Sequence, residues 1–346
     1  MKKFLIITII ILAIAIAFVW IYWLNFQKES DKGDVGSMVD RALKEKETEK
    51  IEENKVEEKK KEPVTLLAVG DLNLSRHVWK KIQDHGGDVT HPFKATAEFT
   101  SDADISFANL ETQVSDRREV PSEGMVLMAD PSVLEGVKYA GFDIVSTANN
   151  HTGDFGNDIV TDSVRFLDQA GILHVGSGKN KEEAHKPVIM EVKGNKIAFF
   201  AYENVPPDAY AAGPDDPGVA WLDIDIMERD IKRVRDEVDY VIVSMHFGPE
   251  YVHEPHEKVQ VEPAHAAIDF GANLVIGHHP HVTQTKEEYK DGYIMYSLGN
   301  FVFDQMWSED TRKGEIFKGT LENGKVKDIE FFPIKIYDYN QPQLAS

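Results

Sequence analysis

Two short runs of buried-type residues, Tyr240–Met245 and Asn273–Gly277, each deliver histidine as they end, and no other feature restricts the fold as much. The stretch from Val241 to Gln284 reads V-I-V-S-M-H-F-G-P-E-Y, a loop containing Glu and Pro, a helical run, and N-L-V-I-G-H-H-P-H-V-T-Q. Of the 13 histidines in the chain, His246, His253, His256, His265, His278, His279 and His281 fall here. In an open α/β sheet, ligands bind in the crevice beyond the carboxyl ends of the strands. Imidazoles placed there suit zinc, iron or manganese. The stretch therefore reads as half of a metal site, and the other half must come from elsewhere in the chain.

From Pro63 onward the pattern alternates between strand and helix. Strand-like runs are Val64–Val69, Asp104–Ala108, Phe142–Ser146, Ile172–Val175, Val188–Val192, Lys196–Tyr202, Tyr240–Met245, Leu274–Gly277 and Tyr293–Ser297. Helix-like runs are Arg76–Gln83, Pro131–Ala140, Asp158–Gln169, Ile226–Val234 and Val259–Phe270. The turns Gly194-Asn195 and Asn323-Gly324 mark hairpins, so some strands are antiparallel. Pro206 to Pro217 is a Pro/Gly/Asp-rich loop of the kind that edges a site. Strands outnumber helices and both types of connection occur, which favours a mixed, layered α/β domain.

Several strand ends carry metal-competent residues. Asp71 follows the first run in G-D-L-N, and Asn109 and Glu111 follow the second in A-N-L-E. Asn149, Asn150 and His151 follow the third, and His246 with His279-Pro-His281 completes the set. Carboxylate, amide oxygen and imidazole converging on one crevice is what a hard or borderline divalent cation wants. Two such cations about 3.5–4 Å apart can bind a phosphoryl group, activate a water and neutralise a leaving oxygen. Each piece also has a plainer reading. Gly-Asp makes turns, Asn-Leu-Glu makes an Asx-type turn, and a single histidine after a strand is an ordinary hydrogen-bonded core residue. Asn149–His151 could cap the segment that follows, as could Asp154 or Asn157. His-His-Pro-His has no obvious structural purpose, and the ordered conjunction is more specific than any member.

Charge and hydropathy narrow the setting. The net charge is −21, and residues 1–62 hold as many basic as acidic side chains, so the acidic excess lies in the region from Pro63. Such a surface repels phosphate backbones and excludes nucleic acid as an expected partner. There is no cysteine, so thiolate ligands, thiol nucleophiles and disulfides are excluded. Phe4 to Leu24 is an uninterrupted apolar run, long enough to cross a hydrocarbon core of about 30 Å. Lys2 and Lys3 precede it, and Trp20, Tyr22 and Trp23 gather at its far end like an interfacial belt. This predicts a single-pass anchor over residues 1–27, with the amino terminus in the cytoplasm and the rest outside. A cleaved signal peptide is the competing reading, but the run exceeds an h-region of about 7–15 residues and no clear A-x-A site follows. Residues 28–62 are a Glu/Lys-rich segment read as a solvated spacer, and residues 63–346 are the globular domain.

The order G-D71, N-L-E111, A-N-N150-H151, H246-F-G-x-E250-Y, G-H-H279-P-H281-V-x-Q284 and S-L-G-N300-F-V-F-D304 resembles the bacterial capsule-synthesis CapA family, associated with poly-γ-glutamate capsules. That family belongs to the calcineurin-like metallophosphatases, and the likeness runs from Val64 to Asp304. It implies a four-layer α/β/β/α sandwich with two mixed sheets and one or two divalent metal ions (Mn, Zn or Fe) in a crevice at one end. Carried over, Asp71 and His281 resemble ligands of one metal, Asn150, His246 and His279 those of a second, and Glu111 the bridging carboxylate. His151 resembles the group that protonates the leaving oxygen, and Arg76 the arginine that holds an anion. Asn109 and Glu250 are candidates for orienting the ligands. Two departures weaken the first site: Asn73 stands where a histidine is usual, and Glu111 where an aspartate is. His253, His256 and His265 match no ligand position, although His253 could reach the crevice mouth. The implied partners are the anionic polymer and membrane subunits of a capsule-synthesis complex. The implied role is synthesis or export of that polymer. Phosphoesterase action on another envelope substrate and a non-catalytic scaffold are the alternatives.

Overall fold

The computed structural model describes residues 16–27, 61–206 and 208–345. The chain divides into two units, Met1–Lys59 and Lys60–Ser346. In the first, residues 16–27 form a helix whose apolar side chains, Trp20 and Trp23 among them, are exposed. Among the described residues no helix is long and apolar enough to cross a membrane. The expected anchor lies partly outside the described residues, and so does the charged spacer over residues 28–62, of which only Lys61 and Glu62 are described.

The second unit is built on two mixed sheets. The strands of the larger are β1 (Val64–Leu72), β2 (Ile105–Leu110), β3 (Ile144–Ser146) and β4 (Leu173–Val175). Those of the other are β5 (Val188–Val192), β6 (Asn195–Glu203), β7 (Tyr240–His246), β8 (Leu274–His278), β9 (Lys286–Tyr289) and β10 (Gly292–Met295). The chain then returns to the larger sheet with β11 (Asn300–Val302), β12 (Lys313–Glu322), β13 (Lys325–Tyr337) and β14 (Gln341–Leu344). Strand order is β14-β13-β12-β1-β2-β3-β4 in the larger sheet, with β11 also on β1, and β9-β10-β8-β7-β6-β5 in the other. The longer helices among the described residues cover them: α1 (Arg76–Asp84), α2 (Val133–Tyr139), α3 (Asn157–Ala170), α4 (Ile224–Arg235) and α5 (Glu262–Asp269).

Strand periodicity explains the layering. Side chains alternate between faces, and both faces of the central strands are buried, so the runs read as nearly continuous apolar sequence. Leu66 and Ala68 of β1 face inward, meeting Phe199, Ile242 and Ile276 of the other sheet, with Phe107 stacked on Phe199 at 6.0 Å. Leu67 and Val69 face outward, against Val78 and Ile82 of α1, Val137 of α2 and Leu167 of α3. On the far side Phe200, Val241 and Val243 pack on Met227 and Ile231 of α4 and Ala264 and Ala267 of α5. The result is the expected α/β/β/α order. Burying one such Leu, Ile or Phe side chain contributes about 1.5–3 kcal/mol.

Local signals set several boundaries. Asp223 Oδ1 accepts from the amides of Asp225 and Ile226, so α4 starts two residues earlier than its apolar pattern suggests. The first hairpin turns on Lys193 and Gly194, one residue before the expected pair, and the second on Asn323 and Gly324. All four take positive φ, the requirement of a two-residue hairpin loop. Strands β1, β2 and β3 run parallel, as do β6, β7 and β8. Their carboxyl ends therefore open on one crevice.

Candidate metal centre

At the end of β1 the ladder slips between Ala68 and Asp71. Gly70 allows this, because a Cβ there would stand 1.8 Å from the Gly299 carbonyl oxygen. The Asp71 amide then donates to that same oxygen at 3.0 Å, and the bulge aims the carboxylate into the crevice. Asp71 is fully buried. Asn109, its register partner on β2, donates to Oδ1 at 2.8 Å. His278 Nδ1 lies 3.2 Å from Oδ1 and His281 Nδ1 3.4 Å from Oδ2. Burial alone would raise this carboxyl, but the facing His278 and His281 outweigh it and hold the group well below the ordinary range. The His278 contact is one of proximity, since neither of its ring nitrogens has an aligned hydrogen-bond partner.

Glu111 directly follows β2 and is also buried. Its Oε1 has no hydrogen-bond donor; His281 Nε2 stands 3.6 Å away and His151 Nε2 3.7 Å away. Burial, then repulsion from Asp71 and Glu250, pushes its carboxyl well above the ordinary value. Opposite, His246 ends β7. Its Nε2 lies 2.9 Å from Asn150 Oδ1 and 3.1 Å from His279 Nδ1, so these three side chains meet at one point. Burial, reinforced by His279, keeps His246 well below its usual pKa. Burial and the neighbouring His281 lower His279 to about 3. Both imidazoles are therefore neutral at physiological pH, the form that binds metals.

Two groups of donors follow: Asp71, Glu111 and His246, and Glu250, His279 and His281, each within 4.8 Å of one another. A buried orphan carboxylate oxygen, neutral imidazoles and an amide oxygen together fit a divalent cation. Glu250, read from the sequence as an outer support, thus joins a ligand group. His279 and His281 hold φ of +94° and +57°. Backbone strain of this kind, about 1–3 kcal/mol per residue, gathers at functional sites.

His151 Nδ1 pairs with Asp154 Oδ2 at 2.8 Å, which fixes the ring and leaves Nε2 toward Glu111. Asp154 also accepts from the Leu127 amide, so it does not cap α3, whose N-cap is Gly156 without a side-chain bond. Arg76 reaches the crevice, but not as a free fork. Its Nη1 donates to the Gly124 carbonyl at 2.7 Å and its Nη2 pairs with Asp304, leaving a buried Nε without a partner. Asn73, at the usual histidine position, is committed elsewhere: Oδ1 accepts from Ser75 and Thr112, and Nδ2 donates to Asp304. The loop after β7 is braced by Gln260, which accepts from His256 and donates to Gln284, and Gln284 in turn donates to Val252. His253 bonds the Thr283 carbonyl and His265 bonds Glu287, and neither belongs to the two donor groups. In the Pro206–Pro217 loop, Tyr210 packs against Gly153, beside the His151 turn.

Glu203 carries no sequence signal for a site, yet it ends β6 in register with His246. It is 1% exposed, and neither carboxylate oxygen has an aligned donor. Burial, eased slightly by the nearby Val205 amide, pushes its carboxyl up to about 8. The crevice above the donors holds about 240 Å³ and is lined by Arg76, Glu123, Met125, His151, Tyr251 and Trp307, among others.

The family model described as bacterial capsule synthesis protein PGA_cap matches residues 65–305. The capsule biosynthesis protein CapA of Bacillus anthracis is 30% identical over 303 residues, covering 84% of this chain and 72% of that one. The PGA biosynthesis protein CapA of Bacillus subtilis (strain 168) is 29% identical over 294 residues, covering 84% and 76%. A solved putative 5'-nucleotidase from Staphylococcus aureus aligns with a TM-score of 0.48 and 11% identity, covering 82% of this chain and 55% of that one.

Proposed function

The chain belongs to the bacterial capsule synthesis protein family described as PGA_cap, and on that premise we propose that it is an accessory protein in making or exporting a polyglutamate-class surface polymer. In this reading the apolar run Phe4–Leu24 anchors it, the domain works outside the membrane, and membrane subunits of the synthesis machinery are its partners. It acts through a divalent-metal centre of metallophosphatase type. The observation that carries this is the meeting of Asn150, His246 and His279 beside a buried, unpartnered Glu111 oxygen, from strands far apart in sequence.

When bound, a divalent cation supplies Lewis-acid polarisation of a phosphoryl group and an acidified water. The residues that would hold it are Asp71, Glu111, Asn150, His246, His279 and His281, with Glu250 beside them. Asn109 touches three of these groups, bonding Asp71 and lying 3.4 Å from Glu111 Oε2 and 3.3 Å from His246 Nδ1, and so fixes their orientation. His151, oriented by Asp154, is placed to give a proton to a leaving oxygen. Arg76 adds positive charge at the crevice wall, held there by Gly124 and Asp304.

The acidic surface bears on the polymer. A domain with this charge repels a polyanion, and only a local cation overrides the general field within a Debye length of about 8–10 Å. Polymer association is therefore expected to need divalent metal, and equal binding with and without chelator rules that route out. Turnover is tested on the metal-loaded full chain with phosphomonoester and phosphodiester substrates in Mn²⁺, Zn²⁺ or Fe²⁺. Hydrolysis abolished by His151→Ala supports the enzyme. No hydrolysis with any of these metals, together with loss of polymer in cells carrying His246→Ala, would leave a non-catalytic metal-dependent scaffold.

A further inference from the structure

Three rings climb from the donor cluster to solvent. Tyr251 stacks on His281 with centroids 6.0 Å apart, and Trp307 packs edge to face on Tyr251 at 4.8 Å and 86°. Trp307 is 64% exposed, and Met125, which also lines the crevice, is 72% exposed. Tyr251 is held at φ +63°, its amide donates to the Pro280 carbonyl, and its phenol meets Gln305. Holding a metal requires none of this. Bare aromatic surface continuous with a polar centre marks a place where something else is covered on binding.

The chemistry of that something can be narrowed. The two rings stand nearly perpendicular, so they form a corner rather than a parallel slot. A flat base gains most from a parallel slot that stacks on both its faces, whereas a puckered, saturated ring can lay the C–H groups of one side against a single exposed aromatic face. The polar groups at the mouth are mixed: the acceptors Glu123 and Glu250 line the crevice, Asp304 is already engaged by Arg76, and His77 and Gln305 stand beside them. Such a rim receives hydroxyl donors and disfavours a chain of carboxylates.

We propose that Tyr251 and Trp307 form a saccharide subsite, so that the phosphate ester taken by the centre carries a sugar body. This rests on the metal-centre reading for its phosphate end. The test is calorimetric titration of the Mn²⁺-loaded full chain with N-acetylglucosamine 1-phosphate, inorganic phosphate and adenosine monophosphate, for the wild type, Trp307→Ala and Trp307→Phe. The sugar phosphate should bind about tenfold more tightly than inorganic phosphate. That ratio should fall toward one in Trp307→Ala and recover in Trp307→Phe. A ratio near one in the wild type, a ratio indifferent to Trp307→Ala, or preference for adenosine monophosphate overturns the subsite. If inorganic phosphate does not bind at all, the metal-centre reading fails instead. The subsite is then decided by saturation-transfer NMR with the neutral methyl glycoside of N-acetylglucosamine, where a signal lost in Trp307→Ala supports it and no signal ends it.

Discussion

Replacing Glu203 by glutamine removes a buried proton-holding group and should flatten the pH dependence of stability. In the unfolded chain this carboxyl titrates near its ordinary value of 4.5, whereas in the folded chain burial holds it to about 8. Between those values the folded state keeps a proton that the unfolded state releases, so stability falls as pH rises. The slope is about 1.4 kcal/mol per pH unit, and the whole span amounts to about 5 kcal/mol, of which about 3 is already lost at pH 7. Glutamine has nearly the same shape and does not titrate, though its amide inherits a site without aligned partners. The assay is urea denaturation of the metal-stripped full chain at pH 5.5, 6.5 and 7.5, with the variant alongside. The wild type should lose about 1.4 kcal/mol per pH unit more than Glu203→Gln, and the variant should be the more stable at pH 7.5. Parallel stability curves would refute the reasoning, because they would mean that Glu203 ionises in the folded state much as it does in the unfolded one.

Three further outcomes follow from the same geometry. Gly70→Ala drives a Cβ into the Gly299 carbonyl at 1.8 Å and should cost about 2–4 kcal/mol in thermal or chemical denaturation while weakening metal uptake through Asp71. Any proton that metal binding releases should come from the raised Glu111 and not from the already neutral His246 and His279, so the release should grow as pH falls; calorimetry in buffers of different ionisation enthalpy measures this. Asp154→Asn should leave metal content intact and lower kcat on a hydrolysed phosphoester about 10–100-fold, because His151 loses the carboxylate that orients its ring.

The layered fold was legible because its central strands are buried on both faces and so announce themselves as short apolar runs, as Val64–Val69 and Tyr240–Met245 do. The carboxyl-end rule points to Asp71, Asn109, Glu111, Asn149, Asn150, His151, His246, His279 and His281, the family resemblance narrows the ligands to Asp71, Glu111, Asn150, His246, His279 and His281, and the fold draws these six into one crevice. No strand-like run marks β9, β11 or β14, and β12 and β13 are signalled only by the Asn323-Gly324 turn between them. β13 is half-exposed, carries Lys325, Lys327, Asp328, Glu330 and Lys335, and is interrupted by Pro333, and its ladder to β12 rather than its own pattern makes it a strand. Asp154 looked like a helix cap, and only the fold turns it toward His151. Which imidazoles of His278, His279 and His281 face the crevice depends on left-handed backbone at two of them. Residue order does not encode that. Nor does it bring Glu250 to the ligands, since Gly248 and the Gln260–Gln284 brace shape that loop.

The most direct measurement is titration of Mn²⁺ or Zn²⁺ into the metal-stripped full chain, compared with Asp71→Ala, His246→Ala and, as a control from the same histidine-rich stretch, His265→Ala. The wild type and His265→Ala should bind one or two ions with the same affinity, while the first two variants bind at least about a hundredfold more weakly. Metal binding that is undiminished in His246→Ala, or absent from the wild type, would contradict the account.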